Sequence, residues 1–406
     1  MRTSCNIARS LFLCLFLMMS IVACSGSSTG AASTSTIVIG ATLPLSGSLA
    51  NVGVILKAAY QNAVNDVNSS GGIAFGGGKA KISLVILDNA SDPNTATSQA
   101  TTLYLKDNAV ALLGPFTPPL TIAVSDVAER LQRPLISSDT PIEAWLSGRS
   151  TGWKYAWDAF IDENQQSELA FQTANLTKTN KKVALFTDTE QDGIVIGKLW
   201  EQKAPQYGYT VVYHASFAVG TVNFSSQIAA AKAAGAQVLS AQMIPPDAMA
   251  LWKQMKSLNY HPLVAEAEKG AAVSTWPQAL GVVAEGTISS NFWSSALGYP
   301  QTSMLVEEAI KAGYKISAEQ SGFVSGYSIT QVLLDALTRA GSADPTKLNT
   351  AIGQTNKTYA IGPIKFGSNH TSPITAIMLQ WQHGNTIQVY PKVAGSSLEA
   401  PVPGLA

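Results

Sequence analysis

Cysteine is scarce in this sequence: Cys5, Cys14 and Cys24 lie near the amino terminus, and no cysteine follows them. A chain body without cysteine forms no disulfides and offers neither cysteine metal ligands nor a cysteine nucleophile. Histidine is also rare, with four residues, and no two of them stand at metal-ligand spacing or in an H-E-x-x-H motif. We therefore predict that the protein binds no metal.

Motifs of nucleophilic and phosphate-binding sites are missing as well. The segment "GYSIT" comes nearest to a G-x-S-x-G elbow, but Thr330 replaces its second glycine. The segment "GGIAFGGGKA" has Gly78 where a phosphate loop needs lysine, and Ala80 cannot ligate magnesium, so we interpret it as a flexible turn. We predict a protein without cofactors that is not an enzyme, while an enzyme on the same scaffold remains a rival hypothesis.

Neither charge sign dominates, and long apolar runs are absent after residue 24. Lysine plus arginine and aspartate plus glutamate each total 26 residues. This balance argues against nucleic acid as a partner, because nucleic-acid binding needs a basic surface. The chain of 406 residues is too long for one hydrophobic core and predicts two domains.

The amino terminus has the pattern of an export signal. Arg2 and Arg9 precede the apolar run Leu11–Val22, which is shorter than the roughly 20 residues that span a bilayer. Residues 21–24, "IVAC", resemble a bacterial lipobox, which implies cleavage after residue 23 and lipidation of Cys24. An uncleaved membrane anchor is the alternative. We expect a signal peptide at 1–23, a flexible linker at 24–36, and a lipid anchor outside the cytoplasm, in the periplasm or on the outer cell surface.

From residue 37 onward, short apolar runs alternate with amphipathic stretches. The runs "TIVIGATLPL", "KISLVILD", "KKVALFTD" and "AQVLSAQM" predict strands buried on both faces, as in parallel sheets. Helices are predicted between them, including Pro93–Lys106 with Asp92 as its cap and Tyr327–Ala340 with an apolar stripe. The alternation breaks at residues 152–166 and starts again, which predicts an α/β protein of two similar lobes with a ligand site at the carboxyl ends of the strands.

The order and spacing of several segments resemble the solute-binding proteins of branched-chain amino-acid ABC importers. These segments include "IVIGATLPLSGSLANVG", "LVILDNASDPNTA", "ALLGPFTPPLT" and "VALFTDTEQDG". The resemblance implies a two-lobed Venus-flytrap fold of periplasmic binding protein type I, in which each lobe is a parallel sheet flanked by helices. It also implies three hinge crossings, placed near Trp157, Glu285 and Leu379. Lobe 1 is then 37–157 plus 286–378, lobe 2 is 158–285 plus 379–395, and 396–406 is a tail.

The resemblance also implies ligand contacts in the first lobe. The family holds the ligand carboxylate through a serine and backbone N–H groups at a helix start, and the matching turn contains Phe116 and Thr117. The serine position is Pro118, which supplies no hydroxyl and no N–H. The prolines either alter the ligand site or simply start the helix, and both readings stay open. Thr140 matches the family's second clamp residue, and the unusual Asp139 precedes it.

In the second lobe, Asp192 occupies the position where the family often has a tyrosine that closes over the ligand. Glu266 or Glu268 matches the glutamate that binds the ligand amine, although either acid could instead pair with Lys269 at the rim. Met243, at the end of "AQVLSAQM", completes the predicted contacts. Aromatic residues near the predicted cleft turns and hinges are further candidates for stacking on a ligand: Phe116, Trp145, Trp157 and Trp293.

We expect an extracytoplasmic binding protein that captures a small amino-acid-like solute between its lobes and delivers it to ABC permease subunits. The altered carboxylate turn leads to the hypothesis that the ligand depends less on an α-carboxylate, as an amide, a cationic amine or an aromatic acid would. A ligand-binding sensor for a membrane receptor is the alternative function.

Overall fold

The computed structural model describes residues 35–406, in which strands and helices alternate as the sequence predicts. The strands are β1 (Ser35–Leu43), β2 (Ile73–Phe75), β3 (Gly78–Asp88), β4 (Leu112–Leu113), β5 (Leu135–Ser137), β6 (Ala156–Asp158), β7 (Lys182–Asp188), β8 (Thr210–Phe217), β9 (Val238–Gln242), β10 (Val264–Ala267), β11 (Ile288–Asn291), β12 (Asn356–Tyr359), β13 (Gly362–Lys365), β14 (Ile377–Gln382) and β15 (Asn385–Tyr390). The helices are α1 (Ala50–Ser69), α2 (Pro93–Leu105), α3 (Pro118–Leu131), α4 (Ile142–Ser147), α5 (Glu163–Ala174), α6 (Gln191–Lys203), α7 (Ser225–Ala233), α8 (Pro245–Ser257), α9 (Thr275–Leu280), α10 (Thr302–Lys311), α11 (Ser317–Ala340) and α12 (Pro345–Gly353).

Two sheets form the centres of the two lobes. The first sheet has the order β2-β3-β1-β4-β5-β6, and its strands are parallel except for the β2–β3 hairpin. The second has the order β15-β14-β11-β10-β9-β7-β8, with antiparallel β14 and β15 at one edge. The central strands β4, β5, β7, β9 and β10 are buried almost throughout, because helices cover both faces.

Sheet membership corrects two of the predicted crossing points. The first crossing follows β6, close to the predicted Trp157. However, β11 lies in the second sheet between β10 and β14, so the second crossing follows Asn291 instead of lying near Glu285. The chain then builds α10, α11 and α12 onto the first lobe and returns before Ile377, slightly earlier than the predicted Leu379. Strand pairing of this kind joins distant segments and leaves no local signal.

Local chemistry explains where several helices begin. The Asp92 side chain accepts a hydrogen bond of 2.7 Å from the Thr95 N–H, which is the predicted N-cap of α2. Helix α11 begins at Ser317, ten residues before the predicted start. The apolar stripe does not reveal its first turns, because they bury polar residues such as Gln320 and Ser321. Helix α5 was not predicted for the same reason, since Gln166 and Ser167 lie on its buried face.

The carboxyl-terminal segment, predicted as a tail, packs onto the second lobe. Val402 and Leu405 are buried among the apolar residues of that lobe. The Gly404 N–H donates to the Glu285 carbonyl oxygen at 3.0 Å. None of the helices between residues 35 and 406 combines the length and apolar character that crossing a bilayer requires. The predicted signal peptide and Cys24 lie outside the described residues.

Candidate ligand-binding cleft

A cleft that encloses about 700 Å³ of space, open solvent included, lies at the carboxyl ends of strands from both sheets. Loops that follow β4, β5 and β6 contribute residues from the first lobe side, and the ends of β9, β10 and β11 contribute residues from the second. Helices α1 and α11 close one side. This is where open α/β sheets bind ligands, because loops diverge at the strand ends and leave a crevice. The lining residues include Phe116, Thr117, Pro118, Asp139, Phe160, Asp192, Gln242, Glu268, Lys269, Ser290, Asn291 and Phe292.

Thr117 and Asp139 hold unusual backbone conformations on the first-lobe wall. Thr117 has φ of 71° and ψ of 150°, and Asp139 has φ of 62°, both in a region that favours glycine. The Thr117 N–H donates to the Asp139 carbonyl oxygen at 3.5 Å. Thr117 is 2% exposed, and its Oγ1 has no hydrogen-bond partner in the described structure. Strained backbone beside an unpaired polar atom is typical of a ligand site.

The start of α3 offers few donors to a ligand. Pro118 and Pro119 occupy its first two positions and have no N–H groups. Pro118 also lines the cleft. The prolines can therefore both start the helix and alter the ligand site, so the two interpretations are compatible. Thr140, the predicted second clamp, is fully buried beneath the wall, where its Oγ1 lies 2.7 Å from Thr121 Oγ1, and it does not line the cleft.

Asp139 is a buried carboxyl group supported by two hydroxyls. Its Oδ2 accepts hydrogen bonds from Ser138 Oγ at 3.0 Å and from Ser325 Oγ of α11 at 2.8 Å. Burial raises the pKa of Asp139 to about 7, and the two hydroxyls offset this only in part. The first-lobe wall of the cleft therefore carries a buried acid that titrates near neutral pH.

Lys269 organises the acids of the second lobe. Its ammonium group lies 2.7 Å from Asp192 Oδ2, 2.8 Å from Glu190 Oε2 and 3.7 Å from Asp188 Oδ2. Burial opposes its charge, but the surrounding carboxylates, led by Asp192, raise the pKa of Lys269 well above its ordinary value. These three acids are close enough together to hold a metal ion, yet the ammonium already occupies the position of the cation. Lys269 was not predicted as a cleft residue in its own right.

Glu268 lies on the cleft wall and Glu266 does not. Glu268 Oε1 accepts from Gln166 Nε2 at 2.5 Å and from Ser290 Oγ at 3.2 Å, and Oε2 accepts from the Lys269 N–H. Burial, followed by the charge of Asp192, raises the pKa of Glu268 to about 7. The structure thus separates two acids between which the sequence could not choose, and neither forms a salt bridge with Lys269.

Gln242 and Asp192 leave two oxygens unpaired on the second-lobe wall. Gln242 Nε2 donates to Asp192 Oδ2 at 2.6 Å, so the amide nitrogen faces the carboxylate. Gln242 Oε1 and Asp192 Oδ1 are buried and have no partner among residues 35–406. Met243, the next residue, is fully buried in the second-lobe core and does not line the cleft. Gln242 is not among the residues predicted from the sequence, because a lone glutamine at a strand end carries no motif.

Of the aromatic residues predicted from the sequence, one lines the cleft and three do not. Phe116 lines the cleft, whereas Trp145 stacks on Trp153 with ring centroids 5.2 Å apart. Trp157 stacks on His370, and Trp293 Nε1 donates to a carbonyl oxygen, so both are structural. The other aromatic residues of the cleft wall are Phe160 and Phe292, whose rings are 4.8 Å apart and were not predicted to lie there.

Comparisons with known proteins agree over most of the chain. A family model described as "Periplasmic binding protein" matches residues 36–385. The Leu/Ile/Val-binding protein homolog 8 of Brucella abortus (strain 2308) is 25% identical over 398 residues, which cover 91% of this chain and 96% of the relative.

Solved structures show the same fold. A leucine-binding protein LivK from Thermotoga maritima superposes with a TM-score of 0.77 and 24% identity, covering 87% of this chain and 97% of that one. A solute-binding protein of an ABC transporter from R. palustris, solved in complex with benzoate, has a TM-score of 0.73 and 21% identity, covering 91% and 97%. At these identities the likeness concerns the fold, so the ligand must be argued from this chain's own residues.

Proposed function

Because the chain belongs to the periplasmic binding protein family, we propose that it is the solute-binding protein of an ABC importer. It captures a small amino-acid-like solute between its lobes and delivers the solute to membrane permease subunits. The observation that carries this proposal is a cleft built by both lobes, whose wall contains the buried Thr117 hydroxyl, which has no partner among residues 35–406. A polar atom in that position is costly unless a ligand or water pairs with it.

Capture in this scheme is a shift between open and closed arrangements. A solute that contacts both lobes binds the closed arrangement more tightly and so increases its population. The family's relatives are named for leucine, isoleucine and valine, and one structural neighbour was solved with benzoate, so both classes belong in a ligand screen.

A thermal-shift screen of residues 25–406 against amino acids, amides, polyamines and aromatic acids tests the binding function. A true ligand raises the melting temperature with concentration, because binding to the folded state alone stabilises it. A Thr117→Val variant should lose most of the shift while keeping its unliganded melting temperature. If no solute in any class shifts the wild type, the binding function is wrong.

We also propose that lipid on Cys24 holds the protein at the outer side of the cytoplasmic membrane or in the periplasm. Such a tether raises the local concentration of the protein near its permease. Labelled palmitate should be incorporated into the full chain and not into a Cys24→Ser variant. Equal labelling of the full chain and the Cys24→Ser variant, or no labelling of either, would show that the proposed lipid anchor at Cys24 is wrong.

A further inference from the structure

The second-lobe wall of the cleft presents oxygens that accept hydrogen bonds and receive none. Asp192 and Gln242 are each 1% exposed, and their Oδ1 and Oε1 atoms have no partner in the described part of the chain. Because the Gln242 nitrogen donates to Asp192, its unpaired atom is the carbonyl oxygen. A buried acceptor without a donor is destabilising, because no hydrogen bond offsets its loss of water. Both residues line the cleft, so the missing donors can come from a ligand.

The first-lobe wall is also rich in acceptors and poor in donors. Asp139 lines the cleft, and both of its side-chain hydrogen bonds go to Oδ2, one from Ser138 and one from Ser325. Pro118 and Pro119 remove the N–H groups that a helix start would otherwise present. The Thr117 hydroxyl is a buried side-chain group on this wall that has no hydrogen-bond partner within residues 35–406.

The basic residue of the cleft wall, Lys269, already forms ion pairs within its own lobe. Lys269 is the one lysine, arginine or histidine lining the cleft within residues 35–406, and its ammonium group contacts three carboxylates of its own lobe. A ligand carboxylate would therefore find no free cation there, and it would face Asp139 and Asp192 across the cleft. Like charges repel more strongly in a desolvated site than in water.

We propose that the cleft selects an organic cation without a carboxylate, whose ammonium or guanidinium N–H groups donate to Asp192 Oδ1 and Gln242 Oε1. Its apolar body packs against Phe116, Phe160 and Phe292 on the cleft wall. This assignment rests on the proposed binding function and names the ligand class within it.

Calorimetry on the full-length chain tests the assignment with pairs of probes that differ only in the carboxylate. The pairs are 3-methylbutylamine with L-leucine, 2-phenylethylamine with L-phenylalanine, and 1,5-diaminopentane with L-lysine. At least one amine should bind tenfold more tightly than its amino acid. If the amino acid binds more tightly in every pair, or if benzoate binds while no amine does, the ligand class is wrong and the binding function stands. If no probe and no screened solute binds, both fail.

Variants of the wall provide a second test. Asp192→Asn and Gln242→Met should each weaken binding of the best amine at least fivefold, and Pro118→Ser should strengthen binding of the matching amino acid at least fivefold. Asp335→Asn is the control, because Asp335 pairs with Lys357 away from the cleft and should change affinity less than twofold. Circular dichroism identifies any variant that fails to fold. If Asp192→Asn does not fold, Gln242→Met decides the test, because it keeps Lys269 and its three carboxylates in place. Unchanged amine affinity in Gln242→Met would overturn the assignment.

Discussion

Among single side chains, Lys269 holds the acidic wall of the second lobe together. Its side chain is 9% exposed, and its ammonium group contacts Asp188, Glu190 and Asp192. Removing one partner from a buried ion cluster leaves charges that are neither paired nor solvated. The exposed pair of Lys357 with Asp335, with a lysine side chain that is 59% exposed, provides a contrast within the same molecule.

We expect Lys269→Met to lower the free energy of unfolding by about 3–5 kcal/mol at pH 7. The matched variant Lys357→Met should lower it by about 1 kcal/mol or less, because solvent screens an exposed pair. Urea unfolding followed by tryptophan fluorescence measures both values. Similar losses in the two variants would show that the cluster is not electrostatically coupled as its distances indicate.

Glu266 predicts a pH dependence of stability. It is 1% exposed, neither carboxyl oxygen has a partner in the described structure, and burial, followed by the charge of Glu268, raises its pKa to about 8. The folded state then binds more protons than the unfolded state between pH 4.5 and 8, so the contribution of Glu266 is full at low pH and is lost as the pH rises toward 8.

Glu266→Gln should flatten this decline, by up to about 1.4 kcal/mol per pH unit for one proton. Urea unfolding of wild type and variant at pH 5, 6, 7 and 8 gives the two slopes. The exposed Glu307→Gln serves as the control and should leave the slope unchanged. A variant slope equal to that of the wild type would mean that Glu266 does not titrate in this window.

At the level of secondary-structure elements, the contact of α11 with α1 depends on a glycine. A Cβ atom at Gly326 would lie 2.8 Å from Ala59 Cβ and 3.2 Å from the Tyr60 ring. At Gly322, one turn earlier on α11, the nearest atom would be Ile55 Cγ2 at an ordinary 3.5 Å. An alanine at Gly326 therefore tests the close packing of α11 on α1, whereas an alanine at Gly322 tests helix preference alone.

Gly326→Ala should lower the free energy of unfolding by about 1–3 kcal/mol, because the added methyl group pushes the two helices apart. Gly322→Ala should raise it by about 0.5–1 kcal/mol, since alanine favours a helix more than glycine does. Thermal and urea unfolding measure both changes. If both variants gain stability, the close approach of α1 and α11 is softer than the distances indicate.

For the molecule as a unit, the proposed closure predicts a change in dimensions. The cleft takes residues from both lobes, and the chain crosses between the sheets three times, which is the arrangement of a hinge. Adding a solute that raises the melting temperature should reduce the radius of gyration in small-angle scattering. A solute that gives no thermal shift is the control. Superimposable curves with and without a stabilising solute would contradict closure.

Much of the architecture follows from local pattern. Strands such as β7 are apolar throughout because both faces are covered, and Asp92 before Pro93 marks a helix start through its own hydrogen bond. These signals depend on neighbours in sequence, so the α/β class, two-lobe organisation and position of the cleft at the strand ends could be inferred. Phe116, Thr117 and Pro118 were predicted as ligand contacts from the family resemblance and not from local pattern, and all three line the cleft.

Packing between segments distant in sequence decides which side chains face the cleft and how some strands pair. Whether Glu266 or Glu268 faces the cleft, whether Thr140 reaches it, and which acids Lys269 contacts depend on segments distant in sequence. Pairing of β11 with β14, which moves a lobe boundary, is likewise invisible in either strand alone. Burial and hydrogen bonding are properties of the assembled surroundings, so residue type indicates which groups can bind a solute, and the packed fold leaves particular atoms without a partner.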